Sequence, residues 1–219
     1  MKQTEILAML GTVGIIPVVV IDDDGAAEPL AHALVDGGLP TMEITFRTEA
    51  AQRAIGRVAK AVPGMLLGAG TVLTVEQAKA ALGSGAVYIV APGLNRPVVE
   101  YCLNNAIPVT PGAVTPTEIG SALELGLHIV KFFPAEASGG VEYLKAVGAP
   151  YVDMKFIPTG GINETNVVQY LRLPCVHACG GSWMVKRELI ANGRFAEISK
   201  LAANATALVA AARANPDRK

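Results

Sequence analysis

The run Ile15-Ile16-Pro17-Val18-Val19-Val20-Ile21 ends in Asp22-Asp23-Asp24-Gly25. Apolar residues in an unbroken row, with no polar alternation, describe a strand covered on both faces, as in a parallel sheet flanked by helices. The acidic turn that follows separates two ways of building such a sheet. An open doubly wound sheet places a Gly-x-Gly-x-x-Gly turn after its first strand, and Asp22–Gly25 offers nothing like it. The acidic run itself reads as a solvated loop that caps the next helix.

Outward from this point the same cadence recurs. Apolar runs follow at Thr41–Phe46, Met65–Ala69, Ala86–Ala91, Ile107–Thr110, Leu127–Phe133, Met154–Thr159 and Cys175–Gly180, making eight. Helical stretches lie between them: Ala26–Asp36, Glu49–Ala61, Val75–Leu82, Pro97–Asn104, Pro116–Leu125, Val141–Val147 and Glu164–Leu171. A last helical region, Val185–Ala212, breaks near Asn192-Gly193. Strands that alternate with helices pair in parallel, because each crossover carries the chain back along the sheet. Eight units without a composition break predict a closed (β/α)8 TIM barrel, a single α/β domain over residues 1–214 with a short N-terminal helix. Residues 215–219 are expected to be a frayed tail.

The uncharged stretch from Ile6 to Ile21 reads as that helix followed by a buried strand. It is shorter than the ~20 residues of a spanning helix, and Gly11, Gly14 and Pro17 interrupt it. Glu5 and the absence of a small-residue cleavage site argue against a signal peptide. Only 17% of the 219 residues are charged while 51% are hydrophobic, so disorder is excluded and a large core is expected. With 18 basic against 19 acidic side chains there is no basic field to gather a nucleic acid. Three cysteines point to a reducing compartment, the cytoplasm, rather than a disulfide framework.

In a barrel the reactive groups sit at the C-terminal ends of strands. Period-two alternation in the second strand puts Thr41, Glu43, Thr45 and Arg47 on one face and Met42, Ile44 and Phe46 on the other. The apolar set suits the helix layer, so Glu43 points into the barrel. In the sixth strand Ile129, Lys131 and Phe133 share a face, which leaves Lys131 inside an apolar run two residues before the strand ends. Burial or a neighbouring cation such as Arg47 disfavours the ammonium form of a lysine, and a neutral amine is the species that attacks a carbonyl to form a Schiff base. A buried Lys131–Glu43 ion pair that merely holds the barrel together fits the same pattern. Lys155 lies four residues below Thr159, ~13 Å beneath the mouth, on the stability face.

Strand seven ends Thr159-Gly160-Gly161 and strand eight ends Gly180-Gly181-Ser182. Paired glycines between strand and helix let backbone N–H groups approach an anion, with the helix N-terminus adding a favourable dipole. The loops after strands seven and eight are where many barrels hold phosphate. Gly68-Ala69-Gly70-Thr71 and Ala91-Pro92-Gly93 end strands three and four with small residues that keep the mouth open. Cys175, His177 and Cys179 alternate onto one face, but the outer two would lie ~13 Å apart along a strand, too far to share a zinc. His32 and His128 have no ligand spacing, so no metal site is expected.

The segments Glu43-Ile44-Thr45-Phe46-Arg47-Thr48, Gly68-Ala69-Gly70-Thr71-Val72, Lys131-Phe132-Phe133-Pro134-Ala135-Glu136, Pro158-Thr159-Gly160-Gly161-Ile162 and Gly180-Gly181-Ser182-Trp183 resemble, in order, the class I 2-dehydro-3-deoxy-6-phosphogluconate aldolases. The resemblance implies a homotrimeric barrel that splits a keto-acid sugar phosphate into pyruvate and glyceraldehyde 3-phosphate, and also 4-hydroxy-2-oxoglutarate into pyruvate and glyoxylate, with no cofactor and no metal. It implies that Lys131 is the Schiff-base lysine and Glu43 the general acid/base. Arg47 and Thr71 would hold the substrate carboxylate, Pro92, Phe133 and Thr159 would line the pocket, and Gly160, Gly161, Gly181 and Ser182 would receive the phosphate. Two positions depart from the pattern: Ala91 stands where Ser is frequent, and Phe46 where Leu is. The competing readings are a 2-dehydro-3-deoxy-6-phosphogalactonate aldolase, a phosphate-binding barrel isomerase or epimerase with Glu43 as base, and a non-catalytic sugar-phosphate binder.

Overall fold

The computed structural model describes residues 2–214, so the tail expected at 215–219 lies outside the described residues. The eight apolar runs all form strands: β1 (Ile15–Val19), β2 (Thr41–Thr45), β3 (Leu66–Gly70), β4 (Tyr88–Val90), β5 (Val109–Thr110), β6 (Ile129–Phe132), β7 (Lys155–Pro158) and β8 (Cys179–Gly181). Helix α1 (Gln3–Val13) precedes them. The crossovers carry α2 (Ala27–Asp36), α3 (Ala51–Ala61), α4 (Val75–Gly83), α5 (Arg96–Asn104), α6 (Pro116–Glu124), α7 (Gly140–Gly148) and α8 (Val167–Leu171). After β8 come a 3₁₀ turn (Trp183–Val185), α9 (Arg187–Ala191) and α10 (Phe195–Ala214), divided where Gly193 adopts φ +64°.

Local chemistry accounts for the helix starts. Thr74 accepts a hydrogen bond from the Gln77 N–H, Asn95 from Val98, and Thr115 forms a capping box with Glu118, so donors left over at each N-terminus are satisfied. Pro97 and Pro116 occupy the first helical turn, where a missing N–H costs nothing. The acidic loop is more than a solvated cap. Asp23 does cap the short turn after β1 by accepting from Gly25, whereas Asp24 pairs with Arg53 and Arg57, and Asp22 with Arg187.

All strand pairing is parallel. Six strands form one curled sheet in the order β5-β4-β3-β2-β1-β8, and β6 and β7 form a second ladder. Parallel bridges Gly112–Lys131, Phe156–Val176 and Thr159–Gly180 connect the two. Strand eight is shorter than its apolar run, since Val176 makes only a single bridge and the regular strand begins at Cys179.

The core has two parts. Outward residues such as Met42, Ile44, Val130, Phe132 and Phe156 pack against the helices. A smaller inner cluster gathers Ile16, Leu66, Tyr88, Val90, Ile157 and Ala178, and α1 lays Ile6 and Leu10 against it. Helix α1 therefore stoppers the end of the sheet that lies away from the strand C-termini. His177 belongs to that seal, with Nε2 2.7 Å from the Leu7 carbonyl oxygen, and Cys179 is fully buried, so the two serve packing rather than metal binding.

Candidate active site

Strand β2 positions the acid as its alternation predicts. Thr41 and Thr45 turn inward and donate their hydroxyls to the carbonyls of Leu66 and Val19, each at 2.8 Å, on the two neighbouring strands. Glu43 lies between them on the same face. From β6, Lys131 brings Nζ to 3.4 Å from Glu43 Oε1, and both residues are 3% exposed. The Lys131 ammonium position also lies 5.1 Å from the centroid of the Phe133 ring. An amine and a carboxylate are thus joined in an apolar interior, at the end of the strands where barrels do chemistry.

The glycines of β3 make this possible in a way the sequence reading did not anticipate. They do not simply leave the mouth open. A Cβ on Gly68 would fall 2.1 Å from the Tyr88 ring, and one on Gly70 only 2.0 Å from Glu43 Oε1. Tyr88, which no sequence signal singled out, fills the floor and donates its hydroxyl to the Met42 carbonyl at 3.3 Å. Burial first, and the Glu43 charge second, push its phenol above the ordinary tyrosine range, so it stays neutral beneath the carboxylate.

Arg47 reaches the rim beyond β2 and donates Nε–H to Thr71 Oγ1 at 3.2 Å. Thr71 adopts φ +55°, a left-handed conformation that is costly for a β-branched residue. Pro92 sits half-buried after β4, with its carbonyl against Gly112, and Ala91 before it is fully buried.

A cavity of about 180 Å³ is lined by Arg47, Phe133, Thr159, Gly160, Gly161, Gly181 and Ser182, together with Val18 of β1 and Val20 just after it. Seven of the eleven predicted site residues therefore share one wall. Of the other four, Lys131 adjoins it through Phe133, Glu43 through Lys131 and Thr71 through Arg47, whereas Pro92 is not on it. A larger groove of about 930 Å³ opens beyond Gly161 and Ser182 toward Asp22 and Arg187. Lys131 and Glu43 line neither space; the smaller cavity is the one that contains Phe133, whose ring lies against Lys131 Nζ, together with Arg47 and Thr159.

Gly160 and Gly161 have φ +97° and +81°, a turn that only glycine adopts without strain. Three successive carbonyls of this turn are tied down. Ala135 N–H donates to Thr159 O at 2.8 Å, Glu136 N–H to Gly160 O at 3.1 Å, and the side-chain amides of Asn163 and Asn166 to Gly161 O at 3.2 and 3.0 Å. In a trans peptide the N–H points opposite to its carbonyl. The N–H groups of Gly160, Gly161 and Ile162 are accordingly turned away from these anchors, on the side of the cavity their residues line, and successive N–H groups so directed have the geometry of a backbone nest. The helix contributes less than expected here, because α8 starts at Val167 rather than Glu164. The second glycine pair also serves packing: side chains at Gly180 and Gly181 would collide with Thr159 and the Trp183 ring. Asn163 and Asn166 were missed in the sequence, although an Asn-x-x-Asn spacing after a glycine pair is turn chemistry that could have been read.

Residues 6–201 match the family described as KDPG and KHG aldolase. The chain belongs to that family. It is 47% identical over 196 residues to the 2-dehydro-3-deoxy-phosphogluconate aldolase of Treponema pallidum, covering 90% of this chain and 93% of the relative. It is 40% identical over 203 residues to the KHG/KDPG aldolase of Escherichia coli, covering 93% and 95%. Among solved aldolases of the family, the KDPG aldolase of Legionella pneumophila superposes with a TM-score of 0.87 at 37% identity, covering 93% of this chain and 97% of the other. That structure holds pyruvate captured at low pH as a covalent carbinolamine intermediate.

Proposed function

We propose that this chain is a class I aldolase that cleaves 2-dehydro-3-deoxy-6-phosphogluconate to pyruvate and glyceraldehyde 3-phosphate, and 4-hydroxy-2-oxoglutarate to pyruvate and glyoxylate. The observation that carries the reading is the contact between the buried amine of Lys131 and the carboxylate of Glu43, next to Phe133 on the wall of the cavity that the Gly160–Gly161 turn also lines. Lys131 attacks the C2 ketone. Glu43 is close enough to supply the proton with which the carbinolamine loses water, leaving a protonated imine that draws electrons from the adjacent bond. Glu43, directly or through a water, takes the proton of the C4 hydroxyl as the C3–C4 bond breaks and the aldehyde departs. The enamine left on Lys131 is protonated at C3 and hydrolysed to pyruvate, which restores the amine.

Around this pair, Arg47 and Thr71 hold the substrate carboxylate, and Pro92, Phe133 and Thr159 bound the carbon chain. Gly160, Gly161, Gly181 and Ser182 take the phosphate. Borohydride reduction in the presence of pyruvate, followed by mass spectrometry, tests the assignment: an adduct is expected on Lys131 and none in Lys131→Ala. No adduct on the unaltered protein, or one that survives the substitution, overturns it. Steady-state kcat/KM on the gluconate, its galactonate epimer and 4-hydroxy-2-oxoglutarate ranks the substrates.

The three bridges between the six-stranded sheet and the β6–β7 ladder support a single closed eight-stranded barrel domain. The assembly proposed from the family resemblance is a homotrimer, which sedimentation velocity tests. Among the described residues no helix is long and apolar enough to cross a membrane. The three free cysteines support a reducing, cytoplasmic setting.

A further inference from the structure

Gly160 and Gly161 both take positive φ, and the N–H groups of their turn must be held still to bind an anion well. One side chain lies across it. A Cβ on Gly161 would fall 2.5 Å from Cγ and 2.6 Å from Cβ of Glu136, so the methylenes of Glu136 occupy the space a side chain at 161 would need. Beyond the turn, the Glu136 carboxylate accepts the hydroxyl hydrogen of Tyr170, which projects from α8. Tyr170 is buried, and desolvation first and Glu136 second push its phenol above the ordinary tyrosine range, so it remains a donor at every physiological pH. The backbone of Glu136 meanwhile binds the Gly160 carbonyl.

Glu136 therefore grips the turn twice, by main chain and by side chain. It lies five residues from Lys131 on the segment that leaves β6. Neither Glu136 nor Tyr170 lines the cavity that holds the proposed site.

We propose that Glu136 and Tyr170 form a clasp that positions the Gly160–Gly161 turn for the phosphate of the substrate, and so set the preference for phosphorylated over unphosphorylated keto acids. The inference rests on the aldolase reading above. The two residues are positioning residues: they act through the peptide groups of the turn and touch no reacting atom. Loosening the clasp leaves the amine and the carboxylate as they are, because Lys131 and Glu43 are fixed by β6 and β2. What it removes is a preorganised set of donors, which is felt only by a substrate that carries a phosphate.

The experiment compares Tyr170→Phe, Glu136→Ala and Glu136→Gln on two substrates, with the borohydride adduct of pyruvate as a third readout. Tyr170→Phe keeps the ring and its packing, and Glu136→Gln keeps an acceptor oxygen. The expected result for Tyr170→Phe and Glu136→Ala is a roughly tenfold or larger fall in kcat/KM for 2-dehydro-3-deoxy-6-phosphogluconate, carried mainly by KM. The value for 4-hydroxy-2-oxoglutarate stays within about twofold, the adduct forms normally, and Glu136→Gln recovers most of the loss. A matching fall on both substrates, or no fall on either, overturns the clasp. Absence of the adduct in the unaltered protein overturns the aldolase reading instead, so the two failures are distinguishable.

Discussion

Oε1 of Glu43 occupies the space that a side chain on Gly70 would need: a Cβ there would lie 2.0 Å away. The carboxylate is thus placed by an absence on the neighbouring strand. Gly70→Ala should displace it from Lys131 and lower kcat about 10²-fold or more, as expected when a general acid/base is lost. Overpacking of this kind costs about 1–3 kcal/mol, so the variant should still fold. Steady-state kinetics alongside thermal denaturation separates the effects, and an unchanged kcat would show that Glu43 has room to spare.

The Lys131–Glu43 contact fits both readings that the sequence left open, structure and chemistry, and stability measured beside turnover separates them. Removing one partner strands a buried charge, so Lys131→Met should destabilise by about 3–5 kcal/mol in urea unfolding. Replacing both, as Lys131→Met with Glu43→Leu, should restore stability and abolish turnover. A double variant that still cleaves substrate would return the pair to a purely structural role.

Thr71 holds a left-handed backbone while its hydroxyl receives Arg47. A residue held in the left-handed region costs on the order of 1–3 kcal/mol, and Asn tolerates it better than a β-branched side chain. Thr71→Asn should raise the unfolding free energy by up to about 1 kcal/mol while raising KM, because the Oγ1 that receives Arg47 is moved. Chemical denaturation and KM are to be measured on the same preparation. A gain in stability with KM unaltered would dissociate the strain from binding.

Two thiols are suited to burial and not to reactivity. Burial pushes Cys102 up to about 11 and Cys179 higher still. At pH 8 neither should react with a thiol reagent at an appreciable rate in the folded protein, whereas both react at once in denaturant. The sign for stability follows. These groups ionise more readily unfolded than folded, so their contribution is intact below the ordinary thiol range of about 8.5 and is lost as pH rises from there toward about 11. Urea midpoints at pH 8 and pH 10.5 should differ in that direction.

Local patterns were enough to find the strands and the inward face of β2, since burial on alternate sides writes itself into Met42, Glu43 and Ile44. They also set Lys155 apart from Lys131, and Lys155 indeed donates to the Pro174 carbonyl, away from the cavity. What escaped were relationships between distant segments. Nothing near Tyr88 announces that its ring lies over Gly68, nor do Asn163 and Asn166 declare that they bind the Gly161 carbonyl. The start of α8 was misplaced because Glu164 suits a first helical turn, while the Asn163 N–H donates to Asn166 Oδ1 and the Thr165 N–H to Asn163 Oδ1, which hold a turn there instead.

The stopper formed by α1 carries a consequence for the order of events. With Ile6 and Leu10 sealing the lower end of the sheet, the space above Lys131 has its doorway at the rim. On the proposed chemistry the phosphate-bearing aldehyde lies between the enamine and that doorway. The fragment that lies outermost is then the first to leave, and the enamine behind it is released only after the aldehyde has cleared the rim.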